Sequence, residues 1–317
     1  MDFEGKSLFF IGDSITEGGG FFTYLRAHFQ KTGRKIFLHN KGIPGFTTKL
    51  TKTSIEEDLS LYTPDYAVIS FGCNDVMPCL YDSRCELTEK WQALRLQRKE
   101  EYKEGIVYLT RVLRERGITP IFCSPFCVNE NIVESEYIET VADNKEKGGI
   151  DYGFYTKKTF SAINEALKEL REYICDYATQ NGYAFWDLFT QTLACTNGDC
   201  FEQDGLHYTR EGHKQIAKCM LLNMYGEQLE EVVFDESLLR IAEREKDERA
   251  YYFVKYNIMK EHYAQLSDVE LIDFTRKWLD ENGHIWGLNE RRAEGFFRFT
   301  PNHKENQKDL LALIKNA

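Results

Sequence analysis

The chain has 317 residues, a formal net charge of −11 and a pI near 5.3, and its length corresponds to about two domains. Apolar residues make up 42% and aromatic residues 14% of the chain, which is enough to build a buried core and excludes a wholly disordered protein. The excess of acidic residues argues against a protein that binds nucleic acid or anionic membranes through a basic surface. We therefore expect no nucleic-acid partner.

Targeting signals are weak. No apolar run approaches the about 20 residues that span a bilayer, and the N-terminal segment has neither the basic region nor the apolar core of a signal peptide. We therefore expect a cytoplasmic protein. The nine cysteines, an odd number, all lie between Cys73 and Cys219, and in a reducing compartment we expect most of them to be free thiols.

Short apolar runs alternate with amphipathic stretches over residues 7–222. Helical spacing of apolar residues predicts helices that end at Gly117 and Gly182. This alternation indicates a parallel sheet with helices on both faces, in which ligands bind beyond the carboxyl ends of the strands. The predicted strands lie at residues 8–11, 35–39, 66–71, 118–123 and 183–188.

The composition changes near residue 225. Beyond that point cysteine is absent, charged residues are dense and helical signals dominate. One of these signals is the capping-box pattern of Ser267 and Glu270, which precedes an amphipathic segment that ends at Gly283. We therefore divide the chain into a domain of residues 1–225 and a mainly helical extension of residues 226–317.

The first strand runs directly into the sequence Gly12-Asp13-Ser14-Ile15-Thr16-Glu17-Gly18. A serine placed where a buried strand turns into a helix presents its hydroxyl and its own backbone N–H to the same space. This placement suits a nucleophile that also helps to stabilise an oxyanion. The alternative is that Ser14 only caps the following helix.

Three later segments carry further polar residues at the same predicted edge. Glycines in residues 40–47 let the backbone approach a ligand closely, although an ordinary turn has the same composition. The Asn74 amide can point an N–H at developing negative charge, or it can form an Asx turn. Asp204 and His207 are three residues apart, so that the imidazole can serve as a base and the carboxylate can orient it. Ordinary surface polar residues are the alternative there.

The order of these segments resembles that of the SGNH hydrolases, also called GDSL esterases and lipases, over about residues 6–224. The resemblance implies a flavodoxin-like, three-layer α/β/α fold around a five-stranded parallel sheet of order 2-1-3-4-5. The similar blocks are Gly12-Asp13-Ser14 for the first, residues 40–47 for the second, Gly72-Cys73-Asn74-Asp75 for the third and residues 204–213 for the fifth.

The resemblance also implies ester hydrolysis through an acyl-serine, without a metal or another cofactor. In this scheme Ser14 attacks the ester carbonyl, His207 takes the proton of the serine and Asp204 orients His207. The oxyanion would be held by the backbone N–H groups of Ser14 and Gly45 and by the side-chain amide of Asn74.

The substrate is less closely defined by the resemblance. Family members act on acetylated sugars, short aliphatic esters, lysophospholipids and thioesters. We expect a small-acyl carboxylic esterase, with carbohydrate O-acetyl groups as the leading substrate, because no long apolar stretch indicates a lipase surface. The alternatives are a lysophospholipase or thioesterase, an acyltransferase that uses the same residues, and an assembly or binding protein whose C-terminal aromatic residues bind a partner or a second copy. Packing of those aromatic residues on the catalytic domain is the opposing interpretation.

Three other patterns are weaker signals. Cys195 and Cys200 lack a second cysteine pair at suitable spacing, which disfavours a structural zinc site. The glycines at positions 18–20 lack the following lysine and hydroxyl residue of a phosphate-binding loop. We expect Cys73 to be a bystander in the pocket and His213 to pack or to cap a helix.

Overall fold

The computed structural model describes residues 1–60, 62–81, 88–131, 156–194, 198–253, 255–256 and 303–316. Five parallel strands form one sheet: β1 Ser7–Gly12, β2 Phe37–Gly42, β3 Tyr66–Ser70, β4 Thr119–Cys123 and β5 Ala184–Trp186. Their order is β2-β1-β3-β4-β5, which confirms the order that the resemblance implies.

Helices follow each of the five strands along the chain. In the described residues they are α1 Ser14–Gly18, α2 Gly20–Thr32, α3 Ile55–Ser60, α4 Cys73–Val76, α5 Glu89–Glu115, α6 Lys157–Asn181, α7 Leu188–Leu193, α8 Arg210–Tyr225, α9 Glu236–Phe253 and α10 His303–Asn316. With the sheet between them, they give the three-layer α/β/α architecture.

The strand β1 lies inside the sheet, between β2 and β3, and all six of its residues are buried. Leu8 and Phe9 point to opposite faces of the sheet and both are completely buried. Because helices cover the two faces, the strand is a continuous apolar run and does not alternate with polar residues. The loops that follow β1, β2 and β3 therefore begin side by side at one edge.

The second strand differs from its predicted bounds of residues 35–39. Asn40, Lys41 and Gly42 continue the parallel pairing with β1, so they belong to β2 and the loop begins at Ile43. The fifth strand is shorter than predicted. It stops at Trp186 because the side chain of the next residue, an aspartate, caps α7.

The C-terminal helices pack against the first elements of the chain. α9 contacts α2 and β2, and α10 contacts α9 and β2. Phe234, just before α9, packs edge-on against Tyr24 of α2 with ring centroids 4.9 Å apart, and Tyr252 of α9 is completely buried. These aromatic residues of the extension therefore lie against residues 1–225. The predicted boundary at residue 225 coincides with the end of α8, where Gly226 adopts φ 69°.

A buried ion pair closes the free edge of β2. Arg26 of α2 binds Glu245 of α9 through contacts of 2.7 and 2.9 Å, and neither side chain is more than 6% exposed. Arg26 also donates to the Leu38 carbonyl at 2.7 Å, and Glu245 accepts the Asn40 N–H at 3.0 Å. Leu38 and Asn40 belong to β2, the edge strand of the sheet formed by the described residues, so the ion pair satisfies backbone groups that β1 does not reach.

A second charged cluster lies beside this ion pair. Lys41 of β2 contacts Glu248 at 3.1 Å and Asp58 at 3.6 Å. Arg249 contacts the same two carboxylates at 2.9 and 3.4 Å. All four side chains are buried, and each charge has an opposite partner, as the high free-energy cost of an unpaired buried charge requires.

Some predictions fall outside the described residues, namely the helix between Ser267 and Gly283 and the thiols of Cys85 and Cys195. The seven described cysteines are free thiols. No helix in the described ranges is long and apolar enough to cross a membrane.

Candidate active site

Ser14 is the first residue of α1, at the carboxyl end of β1. Asp13 caps this helix, because its side chain accepts the Ile15 N–H at 3.0 Å. The interpretation of Ser14 as the helix cap is therefore wrong. The Ser14 hydroxyl instead lies 2.8 Å from Nε2 of His207, a residue 193 positions later in the chain.

Two glycines place α1 directly on the ends of β1 and β2. A Cβ atom on Gly12 would lie 2.1 Å from Oγ1 of Thr16, and a Cβ atom on Gly42 would lie 2.3 Å from the backbone N of Glu17. No side chain fits in either position. The close contact between helix and strands therefore fixes Ser14 at the edge of the sheet.

The loop before α8 supplies an imidazole and a carboxylate. Nδ1 of His207 lies 2.5 Å from Oδ2 of Asp204. The other oxygen, Oδ1, accepts the N–H groups of Leu206 at 2.8 Å and of His207 at 2.9 Å, and Gly205 makes the bend at φ 68°. Since both carboxylate oxygens are engaged, the imidazole ring is held in one orientation. A continuous chain of hydrogen bonds results, from serine to imidazole to carboxylate.

The electrostatics of this pair favour a basic imidazole. Burial lowers the pKa of His207, but the hydrogen bond and the charge of Asp204 raise it more, so the pKa lies above its ordinary value of 6.5. Burial also raises the pKa of Asp204, but its hydrogen bonds outweigh this effect and the pKa lies below 3.8. Asp204 is therefore ionised near neutral pH and stabilises a proton on the imidazole.

Hydrogen-bond donors lie in the segments that follow the two strands flanking β1. Gly45 is exposed in the loop after β2, with φ 75°, and Asn74 lies in α4 after β3. Nδ2 of Asn74 donates to the Phe46 carbonyl at 3.1 Å, which joins the two segments. A side-chain amide has two N–H groups, so one remains for a ligand. Within the described part of the chain, the backbone N–H groups of Ser14 and Gly45 have no acceptor.

Asp75 joins the same two segments at a second point. Its Oδ1 accepts the backbone N–H of Thr48 at 2.9 Å and the Thr48 hydroxyl at 2.8 Å. Burial raises the pKa of this carboxyl to about 7. Thr48 is not among the residues predicted from the sequence, and Asp75 is predicted only as a member of the third block. The sequence signals that could have indicated this contact are the carboxylate beside Asn74 and the hydroxyl residues after Gly45.

Cys73 and His213 lie near these residues without joining the hydrogen-bonded chain. Burial raises the pKa of the Cys73 thiol, which therefore lacks the thiolate that a cysteine nucleophile needs. The His213 ring stacks on Phe21 with centroids 6.0 Å apart, and burial lowers its pKa to about 4. Among the described residues, no group of three or more His, Cys, Asp or Glu side chains is arranged to hold a metal ion.

Comparison with known sequences identifies related proteins. A sequence model of the GDSL-like lipase/acylhydrolase family matches residues 10–215, a range that contains all the residues of this site. An acetylxylan esterase from Geobacillus stearothermophilus is 32% identical over 194 residues, which cover 52% of this chain and 81% of that protein.

Solved structures show a similar fold. Axe2, an acetylxylan esterase from Geobacillus stearothermophilus, superposes with a TM-score of 0.50 at 22% identity and covers 73% of this chain and 99% of its own. A gut microbial diltiazem-metabolizing enzyme superposes with a TM-score of 0.69 at 14% identity and covers 100% of this chain and 95% of its own. The second similarity therefore extends over the C-terminal extension.

Proposed function

The chain belongs to the GDSL-like lipase/acylhydrolase family and is an ester-hydrolysing enzyme, and from this premise we propose that it is a serine esterase for small-acyl carboxylic esters. Carbohydrate O-acetyl groups are the leading substrate class. The observation that carries the proposal is the continuous chain of hydrogen bonds from Ser14 through His207 to Asp204.

In the first half of the proposed reaction, the ester acylates Ser14. Nε2 of His207 removes the hydroxyl proton while Oγ of Ser14 bonds to the acyl carbon, and the carbonyl oxygen becomes an oxyanion. The bond from the acyl carbon to the alcohol oxygen then breaks, and His207 transfers its proton to the leaving alcohol. Asp204 fixes the ring so that Nε2 faces the serine, and its charge stabilises the imidazolium.

In the second half, water replaces the alcohol. His207 removes a proton from the water as its oxygen bonds to the acyl carbon. The bond from the acyl carbon to Oγ of Ser14 then breaks, His207 returns its proton to Oγ, and the carboxylic acid leaves. Both oxyanions would accept hydrogen bonds from the backbone N–H groups of Ser14 and Gly45 and from the free N–H of Asn74. Fixed donors of this kind stabilise negative charge that develops only near the transition state.

The sequence similarity supports the choice of substrate. The relative at 32% identity is an acetylxylan esterase. The family match over residues 10–215 contains the serine, the donors and the imidazole, so we extend the small-acyl preference of this relative to this chain.

Replacement of the proposed nucleophile tests the reaction. We expect Ser14→Ala to abolish the hydrolysis of p-nitrophenyl acetate and the covalent labelling by a fluorophosphonate, with an unchanged thermal unfolding midpoint. Ser70 gives a matched control, because it is a buried serine that pairs with Gly12 in the sheet and its hydroxyl has no partner in the described residues. Ser70→Ala should retain both signals. Full activity in Ser14→Ala would refute the proposal.

A series of esters tests the acyl preference. With p-nitrophenyl esters of increasing chain length, kcat/KM should be highest for acetate and fall steadily, and acetylated xylo-oligosaccharides should release acetate. A maximum at long chains would favour the lysophospholipase or thioesterase alternative. Faster transfer to an added sugar than to water would favour an acyltransferase.

A further inference from the structure

The C-terminal extension contacts the segment that carries the proposed oxyanion donors. Tyr256 is buried, and its ring centroid lies 5.9 Å from that of Phe46 in an edge-on arrangement. We propose that Tyr256 is a positioning residue that holds the Gly45 and Asn74 donors through Phe46. This inference rests on the proposed function, because it assigns a role in stabilising the same oxyanion.

Phe46 connects the two donors directly. It follows Gly45 in the chain, its N–H donates to the Ile43 carbonyl at 3.1 Å, and its carbonyl accepts Nδ2 of Asn74 at 3.1 Å. The Phe46 ring is 1% exposed. A shift of this ring therefore moves the backbone on which the Gly45 N–H lies and the carbonyl that orients the Asn74 amide.

Tyr256 is itself held on two sides. Its hydroxyl lies 2.5 Å from Oε2 of Glu57, a carboxylate that also accepts Nζ of Lys255 at 2.7 and 2.9 Å. Its ring stacks on Tyr252 with centroids 5.9 Å apart and an interplanar angle of 16°. Tyr252 is completely buried in α9. The contact with Phe46 is therefore made by a fixed ring, and the extension provides a rigid support for the loop.

Small displacements of such donors have large effects on rate. Loss of one oxyanion donor lowers turnover by about 10²–10³, and misplacement by about 1 Å can have an effect on the order of 10². Ground-state binding of the ester does not depend on the oxyanion to the same extent. A residue that positions the donors should therefore act on kcat and leave KM nearly unchanged.

Two substitutions at position 256 test the role of the ring. We expect Tyr256→Ala to lower kcat for p-nitrophenyl acetate about tenfold, with KM within about twofold of the wild type. Tyr256→Phe keeps the ring and should retain kcat within about twofold. Leu310→Ala is a control for loosened packing, since Leu310 is a buried residue that joins α10 to α9. It should lower the thermal unfolding midpoint and leave kcat unchanged.

A double-mutant cycle tests whether the effect passes through the oxyanion donors. If Tyr256 acts through Phe46 on both donors, Tyr256→Ala should lower kcat by only about threefold in an Asn74→Ala background, because one of the two donors that it positions is already absent. Multiplicative effects of the two substitutions would overturn the proposal, and so would a kcat within about twofold of the wild type in Tyr256→Ala alone.

Three further outcomes have defined meanings. If Tyr256→Ala does not fold, Tyr256→Leu keeps apolar volume without a flat ring, and the same cycle with Asn74→Ala decides. If the wild type itself does not hydrolyse esters, or if Ser14→Ala is fully active, the proposed function fails. If the wild type is an esterase that depends on Ser14 but the cycle is multiplicative, only the role of Tyr256 fails.

Discussion

At the scale of single residues, the proton balance of His207 controls the proposed reaction. The ring accepts the Ser14 proton only when it is neutral, and the carboxylate of Asp204 raises the pKa of the ring above 6.5. We therefore expect kcat/KM to rise with pH through an apparent pKa above this value and then to level off. A pH–rate profile with p-nitrophenyl acetate measures this apparent pKa.

Asp204→Asn is the matched variant for this profile. Without the negative charge, the pKa of His207 falls, so the acid limb should move to lower pH. The rate should also fall on the order of 10⁴, because the amide no longer fixes the productive tautomer of the ring. An unchanged limb in Asp204→Asn would show that another group controls it.

At the scale of elements, the contact between β2 and α1 depends on the absence of a side chain at Gly42. We expect Gly42→Ala to lower the free energy of unfolding by about 1–3 kcal/mol, because its Cβ would overlap the backbone of Glu17. The displaced helix carries Ser14, so kcat should fall as well. Chemical unfolding and the esterase assay measure the two effects. Gly33→Ala gives a control: its φ of 72° disfavours alanine, but open space surrounds its Cβ, and kcat should persist.

A second prediction at this scale concerns the ion pair between Arg26 and Glu245 at the edge of β2. Glu245→Leu leaves Arg26 buried without its partner and should lower the free energy of unfolding by about 3–5 kcal/mol. The double variant Arg26→Met/Glu245→Leu removes both charges, but the Leu38 carbonyl and the Asn40 N–H then lose their partners. The free energy of unfolding of the double variant, measured with urea, should therefore be lower than that of the wild type. Wild-type stability in the double variant would contradict the edge-capping role.

β2 also shows how far sequence reasoning extends. The buried strands are predictable because their apolar runs are local. Ser14 and Asn74 are predictable because each follows such a run, and Asp204 and His207 because they lie three residues apart just before a helix. The end of β2 is different. Asn40 and Lys41 are polar, and inside the fold they are partnered in part by Glu245 and Glu248 of α9. A local pattern contains no information on partners more than 200 positions away, and the contact between Tyr256 and Phe46 escapes prediction for the same reason.

At the scale of the whole molecule, the composition of the chain changes at residue 225, but the helices beyond this residue pack against the elements before it. α9 and α10 cover α2 and β2 with apolar and charged contacts. We therefore expect a chain that ends at residue 225 to unfold at a lower temperature than the full chain and to associate. Thermal unfolding and light scattering measure these effects. A monomeric truncated chain with the wild-type midpoint and kcat would show that residues 1–225 are independent.

The sealed edge of β2 has a consequence for synthesis of the chain. Asn40 leaves the ribosome 205 residues before Glu245, an interval on the order of 10–40 s at ~5–20 residues per second. Until then, the outer row of N–H and C=O groups on β2 is a template that another nascent strand can join. Slower translation lengthens this interval, so the yield of native enzyme should depend on the chaperones that shield the N-terminal half.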